Sequence, residues 1–256
     1  MRRRVSLSCI PHLIHRIYPQ MPALLTLTAA LADPALAQAA AADARGTTIL
    51  FSDDVEGDEP LMFADHVGGN PLYNWWSVTT TDWHSPDHSW FRQSPSEVTD
   101  NALVMISDVQ IPVGCKLLSF WHRFNLEANL DEEGVGYDGG VLEVSSDGGT
   151  QWNDILEGND GRFLWGGYVA IISWQYGSPI ANRMAWTGQS LGWQQTVVDL
   201  SDYAGESVRF RWRQATDESA SDLGWGVDDI LIEHGGECSS LIFSDGFESG
   251  DVNAWI

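Results

Sequence analysis

Apolar and polar residues alternate without a break from Lys116 to Glu127. Leu118, Phe120, His122, Phe124 and Leu126 share one face, while Ser119, Trp121, Arg123, Asn125 and Glu127 share the other. A period of two over so long a run predicts a β-strand buried on one side. A hairpin is predicted over Gly140–Trp152, where Val141-Leu142-Glu143-Val144 runs into a turn at Asp147-Gly148-Gly149 and the chain returns toward Trp152. Gln194–Leu200 and Ser207–Gln214 predict a second pair of strands about a turn at Ser201–Glu206, and Gly224–Glu233 predicts a closing strand. Segments 62–100 and 155–192 read as loop-rich and aromatic, and no amphipathic helix is predicted. The pattern implies an all-β sandwich.

One phrase occurs twice, as Ile49-Leu50-Phe51-Ser52-Asp53-Asp54-Val55-Glu56 and again as Leu241-Ile242-Phe243-Ser244-Asp245-Gly246-Phe247-Glu248. Each copy reads as a short strand ending in carboxylates. The two bracket one module plus the start of something further. No repeat of 20–50 residues lies between them, which disfavours solenoids and propellers.

The N-terminus changes the picture. Arg2, Arg3, Arg4 and Arg16 precede an apolar run, Met21–Ala32, and a small-residue site at Ala37-Gln38-Ala39. This is the pattern of a secretory signal peptide over residues 1–39, and its apolar run is too short for a membrane span. Met21 is an alternative start. Residues 40–48 form a small-residue linker, 49–234 the module, and 235–256 a C-terminal tail. Removing residues 1–39 leaves 9 basic and 35 acidic residues, a net charge of −26. A surface so acidic repels phosphate backbones and anionic lipid, which disfavours nucleic-acid and membrane-surface roles. A secreted or periplasmic location is expected. Cys115 and Cys238 then form an even pair that either bridges or stays as two buried thiols.

Catalytic signals are sparse. Gly188-Gln189-Ser190-Leu191-Gly192 matches G-x-S-x-G, yet it leads into a strand and not a helix, so Ser190 is not expected to be a nucleophile. His84 and His88 are separated by Ser85-Pro86, which breaks any helix that would align them as zinc ligands. Ser145-Ser146-Asp147-Gly148-Gly149-Thr150-Gln151-Trp152 approximates an Asp-box turn, a structural element. The 13 Trp residues are the compositional outlier. Those on strands, Trp121 among them, are expected to pack. Those in loops, including Trp75, Trp76 and Trp83, are candidates for stacking on sugar faces, and Trp121 is kept with them as a ligand-binding candidate. Arg209, Arg211 and Arg213 lie in a row on one strand face. They either pair with acids such as Glu127 and Glu143 or line an anion-selective groove.

Five stretches together resemble the bacterial relatives of the MAM domain, jelly-roll modules attached to secreted immune inhibitor A-type metallopeptidases and other exported hydrolases. They are Asp54-Val55-Glu56-Gly57, Leu118-Ser119-Phe120-Trp121-His122, Tyr137 to Ser145, Val198 to Gly205, and Gly224-Trp225-Gly226-Val227-Asp228-Asp229-Ile230. The resemblance implies a jelly-roll β-sandwich of the MAM or concanavalin A-like lectin type. It further implies a cation where the opening and closing strands meet, with Asp54, Glu56, Asp228 and Asp229 as ligands; oxygen-only ligands suit Ca²⁺. The loop Asp131-Glu132-Glu133 with Asp138 is a weaker second candidate. The expected function is a secreted, non-catalytic binding or accessory module, stabilised by Ca²⁺, for an extracellular glycan or protein. Two alternatives remain open: the accessory portion of a secreted peptidase, with an exported hydrolase as partner, and a glycosidase using paired carboxylates.

Overall fold

A computed structural model of the chain describes residues 47–72, 75–159 and 162–235. The expected signal peptide at 1–39, the expected 235–256 tail beyond residue 235, and Cys238 lie outside the described residues. Two antiparallel sheets pack face to face as the β-sandwich that the alternation predicts, of the jelly-roll class that the resemblance implies, and a smaller four-stranded sheet with one parallel pair accompanies them.

The large sheet is built on Lys116–Leu126. It pairs with Gln194–Asp199 on one side and with the closing strand, Asp222–His234, on the other. The closing strand changes neighbour along its length. Its first half pairs with Ser89–Ser94 and its second half with the opening strand, Thr48–Asp53. The change falls at a bulge between Asp228 and Leu231, where Asp229 takes a left-handed φ of 47°. An aspartate tolerates that region better than most residues. The second sheet places Ser207–Thr216 between Gly139–Ser145 and Thr99–Met105, with Met62–Gly69 beyond.

Inward-facing side chains of both sheets form the core. Phe120 lies edge-on to Trp212 across the sandwich, with ring centroids 5.3 Å apart. Leu118, Phe124, Trp225 and Val227 from one sheet and Leu103, Met105, Leu142 and Phe210 from the other complete it. His122 sits among them fully buried, accepting from Trp225 Nε1 at 3.2 Å and bonded to Thr196 Oγ1 at 3.0 Å. Burial lowers its pKa to about 3, so it is a neutral core residue. Cys115 is disulfide-bonded.

Two expectations need correction. Gln194–Asp199 and Ser207–Thr216 do not pair with each other: the first belongs to the large sheet, the second to the other. The turn between them, a 3₁₀ segment at Ser201–Tyr203, carries the chain across the sandwich. The register explains why, since Thr196 and Val198 sit opposite the inward-facing Phe120 and Leu118. Segment 62–100 is also richer in strand than expected. Ser89–Ser94 was concealed because its buried positions are polar: Arg92 and Ser94 face inward, and Ser89 is buried on the outer face, where its hydroxyl donates to the Asp82 carbonyl at 2.7 Å. Arg92 Nη1 donates to the Gln214 carbonyl at 3.3 Å and Nη2 to Thr99 Oγ1. Burial lowers its pKa to about 10.

Candidate functional site

The outer face of the large sheet carries a groove of about 270 Å³. Its floor exists because two outward positions lack side chains. At Gly226 a Cβ would come within 3.0 Å of the Trp193 ring, so the glycine lets Trp193 rest against the sheet. Gly224 has φ +118°, and a Cβ there would meet the Arg92 carbonyl oxygen at 2.0 Å. Only glycine fits that position.

Aromatic and polar groups line this floor. Phe91 and Trp193 contribute ring surface, and Leu191 and Leu223, 95% and 65% exposed, stand at the rim. Asp82 ties the polar side together: it accepts from Arg123 Nη1 at 2.8 Å and from Trp193 Nε1 at 3.1 Å. Asn125 Nδ2 donates to Asp222 Oδ1 at 3.2 Å, and Gln189 is exposed. An apolar floor with a few planar, converging polar groups is the usual composition of a small-molecule or glycan site.

The wall carrying Leu191 is pinned by the serine of the G-x-S-x-G stretch. Ser190 N–H donates to the Phe124 carbonyl at 3.0 Å, and Ser190 Oγ accepts from Phe124 N–H at 2.9 Å. The hydroxyl also reaches the Gly192 carbonyl at 2.9 Å. It stands in for the strand partner that Phe124 lacks where the 190–193 loop leaves the sheet. Asp82 is the one carboxylate among the lining residues, so the groove does not hold the pair of acids that glycoside hydrolysis uses.

Beside the groove, His84 stacks on Trp121 with centroids 3.8 Å apart and planes 11° from parallel. The loop around His84 also occupies the meeting point of the opening and closing strands. Asp228 Oδ2 accepts from the N–H groups of His84 and Ser85 at 2.8 and 3.2 Å, and its Oδ1 from Asp229 N–H at 2.8 Å. Burial pushes the Asp228 carboxyl up to about 6. Asp229 pairs with His84 Nδ1 at 2.5 Å and Ser85 Oγ at 2.9 Å. Glu56 accepts from His88 N–H at 2.7 Å and contacts its Nδ1 at 2.8 Å. Asp54 accepts from Glu56 N–H at 3.2 Å and lines a hollow with Asp229 and Trp121. No three of these four carboxylates bring ligand atoms within 4.8 Å of one another. The arrangement therefore lacks the converging oxygens that Ca²⁺ takes.

The remaining candidates are scattered. Trp76 is 3% exposed and packs edge-on to Trp225, so it offers no sugar platform. Trp75 and Trp83 are exposed and are not among the residues that line the groove. The arginine row is closed by ion pairs: Arg209 with Asp108, Arg211 with Glu143, and Arg213 with Asp100 and Glu143. Of the two acids expected as partners, Glu143 serves and Glu127 does not. The Asp-box turn forms, with Asp147 Oδ1 accepting from Thr150 and Gln151 N–H at 3.0 and 2.9 Å. Sequence reasoning missed Phe91, Trp193, Gly226, Asn125 and Gln189. An apolar Leu191 in a polar loop and glycines on both sides of Trp225 were the available signals.

The Reelin subrepeat B family model matches residues 110–233, the stretch from just before the central strand to the end of the closing strand. None of the curated protein sequences compared with the chain matches it. Among solved structures, the K3 cleaved adhesin domain of Lys-gingipain from Porphyromonas gingivalis w83 aligns with TM-score 0.43 and 19% identity, covering 74% of this chain and 100% of that one. The CBM22-1 xylan-binding domain of Paenibacillus barcinonensis Xyn10C gives 0.40 and 17%, covering 77% and 100%. The Endo-D glycoside hydrolase domain of Streptococcus pneumoniae R6 gives 0.39 and 12%, covering 67% of this chain but 21% of its own length. Likeness at this level carries no functional argument; the chain's own strand pairing defines the sandwich.

Proposed function

We propose that this chain is an exported, non-catalytic binding module, carried out by its 1–39 leader, whose outer-face groove takes an extracellular glycan. The observation that carries the reading is Trp193 resting against Gly226, with its indole N–H held by Asp82. A ring fixed in this way can stack on the apolar face of a sugar, and Arg123, Asp82, Asn125 and Gln189 offer donors and acceptors to hydroxyls. The bound Ser190 hydroxyl and the single carboxylate support a binding role over a hydrolytic one. The described residues contain no helix long and apolar enough to cross a membrane.

The test is a glycan array probed with the purified protein, followed by calorimetry on the best oligosaccharide. Trp193→Ala should weaken binding at least about tenfold, as loss of an aromatic anchor does, with an unchanged melting temperature. A wild-type protein that binds no glycan, or a Trp193→Ala protein that binds as well as wild type, defeats the reading.

A further inference from the structure

A second group of acids lies at one end of the sandwich. Glu127 follows the strand Lys116–Leu126, Asp138 precedes Gly139–Ser145, and Asp217 follows Ser207–Thr216. The folding of these three strands brings one carboxylate oxygen from each within 4.8 Å of the others. Asp138 and Asp217 are buried and Glu127 is half-buried, so the group opens to solvent on one side.

We propose that Glu127, Asp138 and Asp217 bind one hard divalent cation, with Ca²⁺ as the natural occupant. Three observations support this beyond the clustering. First, the buried Asp217 Oδ2 has no hydrogen-bond donor, whereas its Oδ1 accepts from Ser219 N–H at 2.8 Å. A carboxylate oxygen buried without a partner is costly and calls for a ligand. Second, among the described residues none of the three acids forms a salt bridge with a basic side chain, the buried Arg92 acting on Asp138 only through its charge, whereas Glu143 collects three arginines. Third, the donors that do reach the cluster are few and neutral. Asp138 Oδ1 accepts from Asp217 N–H at 2.9 Å, Asp138 Oδ2 from Ser94 Oγ, and Glu127 Oε2 from Ser219 Oγ at 3.4 Å.

Two of these three carboxylates resist ionising. Burial, reinforced by the Asp217 and Glu127 charges, pushes the Asp138 carboxyl up to about 7. Burial and the Asp217 charge raise Glu127 as well. A divalent cation reverses that logic. The donor set is all oxygen, with carboxylates from three separate strand ends and a serine hydroxyl close by. Such an oxygen set suits Ca²⁺ better than Mg²⁺, which demands near-ideal octahedral geometry. The opening and closing strands differ in this respect, because there the acids already have histidine and backbone donors.

The site is coupled to the groove through short covalent links. Glu127 lies two residues beyond Asn125, and the loop leaving Asp217 reaches Asp222, which accepts from Asn125. An ion here would therefore order the groove rim without touching the ligand.

Calcium-free protein titrated with CaCl₂ alone, by calorimetry and by native mass spectrometry, tests the proposal without any glycan. One Ca²⁺ per chain is expected. At about a hundredfold excess over Kd it should raise the melting temperature by about 5–10 °C. Asp217→Asn should abolish both the binding and the gain. In EDTA the same variant should melt at or above wild type, because a repelling buried charge is gone. Glu127→Gln, at the half-buried corner, should weaken binding at least about tenfold and serves if Asp217→Asn does not fold. Asp54→Asn and Asp229→Asn should bind as wild type. The proposal fails if wild type takes up no Ca²⁺, if Asp217→Asn and Glu127→Gln both bind unchanged, or if the ion is lost from Asp54→Asn or Asp229→Asn and kept in these two.

Discussion

The two sheets turn very different outer faces to their surroundings. On the second sheet, Arg209, Arg211 and Arg213 stand in a row, and every one is consumed by acids of its own face. Glu143 accepts from Arg183, Arg211 and Arg213 together at 2.6–3.0 Å. Although burial alone would raise its carboxyl, the arginine charges hold it below the ordinary range. On the large sheet, the corresponding outward positions at the groove are two glycines, and the charged residues that line it are the single pair Arg123–Asp82. The row of charges thus leaves no face for a ligand, because it is satisfied internally and the segment carrying Arg183 packs Ile172 and Ile180 over Val141. An absence of side chains leaves room for one.

The sharpest way to break this comparison is to remove the hub of the closed face. Glu143→Ala leaves buried Arg211 and its neighbours without a counter-charge. Stripping one partner from a buried ion network costs about 3–5 kcal/mol, so chemical denaturation should show a loss of that size. Groove binding at temperatures where the variant is folded should be unaffected. A loss under about 1 kcal/mol would mean that the arginines are solvated and the face is open after all.

The core between the faces carries the next effect, through His122. In the unfolded chain an imidazole titrates near 6.5; in the folded core burial lowers it to about 3. As pH falls below 6.5 the unfolded state takes up the proton first, so this contribution to stability is present at neutral pH and lost between about pH 6.5 and 3. At pH 5 the loss is about 2 kcal/mol relative to neutral pH, or about 4–8 °C in melting temperature. His122→Gln should lack that component. The measurement is the difference between variant and wild type across pH, since the raised Asp228 carboxyl acts in the opposite sense. Parallel pH profiles would show that His122 is not sealed from water.

Much of this architecture was legible in the alternation. The inward set Leu118, Phe120, His122, Phe124 and Leu126 was read correctly because a two-residue period marks one buried face unambiguously. The adjacency of opening and closing strands was legible through the family resemblance. Pairing between distant strands was not, and Gln194–Asp199 was assigned to the wrong neighbour because proximity in sequence suggests a hairpin while facing core residues decide the register. Ser89–Ser94 was hidden by its buried arginine. The groove was nearly invisible for a different reason. Its floor is made by residues with no side chain, and its walls by Phe91 and Trp193, more than a hundred positions apart in sequence. Tryptophan count alone could not separate Trp193, in the groove, from Trp76, in the core.

A smaller effect concerns how the groove wall is held. Ser190→Ala removes the acceptor of the Phe124 N–H, and a backbone donor left without a partner costs about 1–3 kcal/mol. The 190–193 loop should loosen, seen as faster amide exchange at Phe124 and weaker glycan binding. No hydrolytic activity should change, and labelling of Ser190 by a fluorophosphonate probe would contradict the structural role given to its hydroxyl.

The smallest expected change in stability is also the most specific to the comparison. Gly226→Ala adds one methyl group to the open face, where it would lie 3.0 Å from Trp193 Cη2. Gly226 is itself buried beneath the ring, but the half-buried ring can give way by a few tenths of an ångström, so the stability cost should stay at about 1 kcal/mol or less. Binding should suffer more than stability, because displacing Trp193 also strains its bond to Asp82 and through it the Arg123 pair. Catalytic and binding constellations tolerate displacements of only about 0.5 Å. A weakened affinity with an unchanged melting curve would mark Gly226 as a residue kept for the groove. Unchanged affinity would separate Trp193 from the ligand and leave the open face of the large sheet without a role.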